Sequence, residues 1–192
     1  PRDDERDTGT GQASGEQGRA RGDEARLACT KECDKAEVSA ETGRVGEEEI
    51  EEAYRQVKPE LLAVMKRSLE NIRSYHEKQK RNSWFDARPD GTILGQKVTP
   101  LASAGVYVPG GKAAYPSSVL MNIIPAQVAG VERIVMVTPP GKDGRVNPVT
   151  LTAAHLAGAT EGYRVGGAQA VAALSFGTQS IPRGDKPAGP GE

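Results

Sequence analysis

Three short runs of β-branched and aromatic residues punctuate the chain, at residues 105–108, 133–137 and 162–165. Segments with helix-like patterning separate them, and the first and last lead into paired glycines, Gly110-Gly111 and Gly166-Gly167. This alternation is the strongest constraint on the fold. Strand, helix, strand, helix, strand describes a parallel sheet, because parallel neighbours need long crossovers. Glycine at a strand end lets the backbone turn tightly and approach a ligand closely. The carboxyl edge of this sheet is therefore where a ligand is expected.

The rest of the chain is less apolar. Of 192 residues 36% are hydrophobic and 4% aromatic, low for a chain packed throughout, and the apolar content gathers between about 98 and 176. Residues 1–18 combine charge, Gly, Ser and Gln without periodic apolar positions, and they read as a disordered tail. A net charge of −1 leaves no electrostatic footprint for nucleic acid. No apolar run is long enough to span a bilayer and no secretory h-region opens the chain, so no membrane partner is expected and the cytoplasm is the expected compartment.

Residues 19–97 read as a helical segment. Gly22 to Leu27 has the character of a cap and first turn leading into a short helix that ends near Cys33-Asp34. Cys29 and Cys33 lie one helical turn apart and read as small half-buried apolar residues, because a metal site needs further ligands at matching spacing. Glu47-Glu48-Glu49 places three acids at the positive end of a helix dipole. Pro59 then opens a second helix, along which Leu62, Met65, Leu69, Ile72 and His76 form one apolar stripe. His76 reads as a packing or capping residue closing that stripe. Arg88-Pro89-Asp90-Gly91 is a turn, and residues 92–98 are extended.

Beyond the first strand, Ser117-Ser118 caps a helix expected from Val119, with Pro125 interrupting or restarting it. The loop of residues 141–148 lacks the Gly-Lys-Ser/Thr ending of a phosphate-binding loop and reads as an ordinary surface connection. A helix over residues 149–157 ends at Gly158, and His155 within it reads as structural. Gly166-Gly167-Ala168-Gln169 opens an alanine-rich helix whose N-terminus offers free N–H groups to a polar or anionic ligand. Gln169 in that first turn can cap the helix or meet the ligand, and spacing does not choose between the two.

Longer strings carry a resemblance. Ala102-Ser103-Ala104-Gly105-Val106-Tyr107-Val108-Pro109-Gly110-Gly111, Tyr115-Pro116-Ser117-Ser118-Val119-Leu120-Met121-Asn122, residues 165–174 and Phe176-Gly177-Thr178 occur in this order. Together they resemble histidinol dehydrogenase, from about residue 19 to 192, over the first half of a complete family member. The resemblance implies NAD-dependent, two-step oxidation of L-histidinol to L-histidine, the last step of histidine biosynthesis. It also implies a homodimer with zinc in each site. Carried over by motif, the NAD contacts fall on Tyr107 and Gln169. A third, the family's asparagine after Gly-Pro-Gly, falls on Glu192, where an acid cannot donate as an amide does. The family's zinc ligands, its proton-handling Glu-His pair and its histidinol-gripping residues come after this point. No catalytic or metal residue is therefore assigned, and the chain alone is expected to be inactive.

The expected fold is an incomplete Rossmann-like parallel sheet with flanking helices over residues 98–192, the NAD-facing segment, preceded by the helical segment and the tail. The other reading is a non-catalytic module that binds a nucleotide or pairs with a family subunit. The standard Gly-x-Gly-x-x-Gly fingerprint is missing from the sequence, so a standard dinucleotide site is not expected.

Overall fold

The structure, a computed structural model, describes residues 22–24, 27, 43–110 and 114–189. The expected tail, Cys29, Cys33, Gly111 and Glu192 lie outside the described residues.

Helix α1 (Glu47–Gln56) begins after Gly46 with the acidic triplet in its first turn, and α2 (Pro59–Glu77) begins on Pro59. In the stripe of α2, Met65 and Leu69 are buried while Leu62, Ile72 and His76 are half-buried at its margins. His76 Nδ1 lies 2.7 Å from Gln79 Oε1 at the end of the helix. Strand β1 (Trp84–Ala87) and β2 (Ile93–Gln96) then form an antiparallel hairpin across the Arg88–Gly91 turn. β2 falls inside the expected extended segment, whereas β1 has too little alternation to be seen in the sequence.

The main sheet comprises β3 (Ser103–Tyr107), β4 (Arg133–Thr138), β5 (Glu161–Arg164) and β6 (Lys186–Ala188), all parallel, in the order β5-β4-β3-β6. Helix α3 (Pro116–Val128) links β3 to β4, α4 (Pro148–Ala157) links β4 to β5, and α5 (Gly167–Phe176) leads back to β6. The chain thus steps outward from β3 and returns on its other side. Such a reversal is the switch point at which open α/β sheets hold ligands. β6 is an addition to the sequence reading; three exposed residues, one a proline, carry no strand pattern.

Helix α3 differs from expectation. It starts at Pro116, without a serine side-chain cap, and runs unbroken through Pro125. A missing helix donor costs about 3 kcal/mol. Val119, Leu120, Ile123, Ile124 and Val128 are all buried along α3. At about 1.5–3 kcal/mol for each large apolar side chain, that burial outweighs the loss. Helix α4 matches expectation, with Asn147 accepting from Val149 and Thr150 at its start and Gly158 at φ +100° closing it.

Both faces of the sheet are covered, as parallel sheets require. Val106, Val108, Ile134 and Met136 share one core with α1, α2, α3 and α4. The alternate residues Tyr107, Val135, Val137, Tyr163 and Val165 share another with Ala170, Ala173 and Leu174 of α5. A Cβ at Gly105 would stand 2.6 Å from Leu174 Cδ2, so glycine there lets α5 lie close on β3.

Candidate functional site

A cavity of about 710 Å³ opens at the carboxyl edge of β3 and β4. Tyr107, Pro109 and Gly110 form one wall, the segment from Thr138 to Pro148 another, and Gly167 stands at the start of α5. The loop of residues 141–148 is the surface connection expected, and it also lines this cavity. The loop leaves β4 beside the glycine turn that leaves β3, so parallel strands deliver both to one edge. The available signal was position, a Pro-Pro-Gly break directly after a buried strand, and not a motif.

The loop is braced from within. Asp143 accepts from the Arg145 N–H at 3.1 Å, and Gly141 donates to the Arg145 carbonyl at 2.8 Å. Lys142 and Arg145 add positive charge to this wall, and Asn147 turns its carboxamide oxygen to the first N–H groups of α4.

Of the sequence-predicted residues, Tyr107 lines this cavity, whereas Gln169 lies outside its lining, two residues past Gly167 at the start of α5. Tyr107 is buried at the end of β3 and packs in the α5-side core, next to the helix whose first turn carries Gln169. Gln169 is 6% exposed, and its Nε2 is buried without a hydrogen-bond partner among the described residues. A buried donor left unpaired costs about 1–3 kcal/mol, so its retention calls for an explanation such as a ligand acceptor. Its carboxamide lies over Gly167, where a Cβ would stand 2.8 Å from Oε1 and where φ is +64°. Helix α5 starts on Gly166 with no side-chain cap, and Gly167 and Ala168 are exposed. Its first N–H groups are therefore open to a ligand. At Gly189, just past β6, a Cβ would stand 2.8 Å from the Tyr107 carbonyl, so the backbone leaving β6 passes close to Tyr107.

The sequence profile of the histidinol dehydrogenase family matches residues 15–192. The chain belongs to the histidinol dehydrogenase family. The histidinol dehydrogenases of Heliobacterium mobile and Bacillus subtilis are each 57% identical to it over 173 residues, 90% of this chain and 40% of theirs. The crystal structure of histidinol dehydrogenase from Elizabethkingia anophelis superposes with a TM-score of 0.89 at 36% identity, covering 96% of this chain and 42% of that one. The chain thus spans about 40% of the length of the curated family members it matches.

The fold expected from the resemblance, a parallel α/β sheet flanked by helices, is the one observed. For zinc, no group of three or more His, Cys, Asp or Glu among the described residues could hold a metal. His155 is exposed and meets Tyr54, its Nδ1 2.9 Å from the phenol oxygen and the rings edge to face. It ties α1 to α4, away from the cavity. No helix among the described residues is long and apolar enough to cross a membrane.

Strand β5, which feeds the glycine turn, is anchored at its start. Arg133 Nε donates to Glu161 at 2.6 Å, and Tyr163 Oη donates to the same carboxylate at 2.8 Å. The Arg133 guanidinium, helped by Tyr163, holds the Glu161 carboxyl below the usual carboxylate range. Burial, then the bond to Glu161, pushes the Tyr163 phenol up to about 12.

Proposed function

We propose that the cavity binds NAD and that this chain forms the cofactor-facing part of a histidinol dehydrogenase acting on L-histidinol in histidine biosynthesis. The observation that carries this reading is the buried, unpartnered Gln169 Nε2 beside an uncapped helix N-terminus. In this reading Gln169 donates to a polar group of the nucleotide, and Tyr107 forms the opposite contact. The N–H groups at the start of α5 would hold an anionic part of the nucleotide, which suits the positive end of a helix dipole. Lys142 and Arg145 favour an anionic ligand along the loop wall. NAD, if held there, would supply the hydride acceptor for each of the two oxidations.

Zinc, the proton-transferring pair and the groups that hold histidinol are assigned to the further part of the family chain. No step is placed on residues of this segment. The compartment proposed is the cytoplasm and the intact assembly a homodimer.

Calorimetric titration of NAD into wild type, Tyr107→Ala and Gln169→Ala tests the cofactor reading. Weaker binding by both variants supports it, and unchanged binding by both removes the contacts. Purified 192-residue chain that forms NADH from histidinol in a zinc-dependent manner would remove the assignment of catalysis to the further part.

A second reading, a module that pairs with another subunit, draws on the hairpin. All eight of its residues are exposed, with Trp84 and Leu94 on one face and Phe85 and Ile93 on the other. A two-stranded hairpin is marginal in water alone, and apolar surface of this kind favours association. A strictly monomeric chain by light scattering across its soluble range would count against it.

A further inference from the structure

Glu49 belongs to an acidic triplet whose ordinary role is to complement the dipole of α1, and Glu47 and Glu48 are indeed exposed there. Glu49 is different. Its side chain is 21% exposed and its two oxygens go to two separate elements. One accepts from the backbone N–H of Val146 at 3.4 Å, and the other pairs with the guanidinium of Arg164. Val146 is buried in the loop that lines the cavity. Arg164 ends β5, and only Val165 separates it from the Gly166-Gly167 turn that starts α5. Arg164 also donates to the Arg44 carbonyl at 2.9 Å, which holds its side chain toward α1.

We propose that Glu49 is a positioning residue that locks the loop of residues 141–147 to the glycine turn, so that the two walls of the cavity keep one spacing. The functional part of this proposal rests on the nucleotide reading of the cavity. A half-buried carboxylate bridging a backbone donor and a guanidinium is costly to break from either side, because the remaining charge is left partly desolvated and uncompensated. The two walls therefore shift together or not at all.

The test uses the 192-residue chain and the variants Glu49→Gln and Arg164→Met, with Arg164→Lys in place of the latter if it fails to fold. Amide hydrogen exchange at Val146 and at residues 166–169, NAD titration and urea unfolding are measured on each. The expected result is that both variants weaken NAD about tenfold. Exchange at Val146 should also rise about tenfold in the Arg164 variant, because Arg164 holds the carboxylate that accepts from the Val146 N–H. A fall in unfolding midpoint with NAD affinity and Val146 exchange both unchanged would make the pair merely structural and overturn the proposal. Exchange that rises only at residues 166–169 in the Arg164 variant would overturn it as well. If wild type binds no NAD, the nucleotide reading falls, and exchange at Val146 still decides whether Glu49 couples the walls.

Discussion

A Cβ placed on Gly110 would stand 2.4 Å from Cγ of Pro139, so the loops leaving β3 and β4 meet with no room for a methyl group. The proline ring has little freedom to retreat. Gly110→Ala should therefore separate the two cavity walls, at a stability cost of about 1–3 kcal/mol typical of overpacking. NAD titration should show weaker binding in the same variant. Urea unfolding at an unchanged midpoint would mean that the two loops yield freely.

Gln169 offers a separation of stability from function. Gln169→Met keeps the length of the side chain and removes the buried, unpartnered amide. The variant should be as stable as wild type or more stable by up to about 1 kcal/mol, because it no longer desolvates an unsatisfied donor. Its affinity for NAD should nonetheless fall at least about tenfold, the cost of one lost hydrogen bond to a polar ligand. Loss of stability without loss of affinity would return Gln169 to the role of a capping residue.

Tyr163 predicts an alkaline limit. Its phenol is raised to about 12 by burial and by the Glu161 carboxylate, against about 10 in the unfolded chain. Between these values the folded state holds a proton that the unfolded state has lost. Stability contributed by the protonated phenol is complete below pH 10 and falls by about 1.4 kcal/mol per pH unit up to about 12. The difference in unfolding free energy between wild type and Tyr163→Phe should carry that slope. Parallel curves for the two proteins above pH 10 would contradict it.

Glu161 predicts the opposite limit. The Arg133 guanidinium depresses its carboxyl, so the pair stabilises the fold above the unfolded carboxylate value of about 4.3. That contribution is lost as pH falls through the lower folded value. Glu161→Gln should cost about 1–3 kcal/mol at pH 7 and flatten the acid side of the stability profile. Urea midpoints measured from pH 7 to pH 3 provide the check, and an unchanged acid slope in the variant would refute the assignment.

Much of this arrangement was legible in the residues. The Gly166-Gly167 pair before an alanine-rich run marked the uncapped start of α5, and the apolar runs marked β3, β4 and β5. What escaped was non-local. β6 has three residues with no periodic pattern and exists because β3 presents an open edge to it. The unbroken α3 defied Pro125 because tertiary burial outweighs one missing donor. The loop at 141–148 has no phosphate-binding signature and becomes a cavity wall only because β4 lies beside β3.

The sequence by itself determined the alternation of parallel strands and helices, the glycine turns at the carboxyl edge and, through its longer strings, the family. These are properties of near neighbours along the chain, where periodicity and turn chemistry act. Only the tertiary structure decided that Gln169 is buried with an unpartnered donor, that Gly110 must lack a side chain beside Pro139, and that Glu49 reaches two walls at once. Each depends on groups brought together by packing across dozens of residues, a distance at which local pattern carries no information.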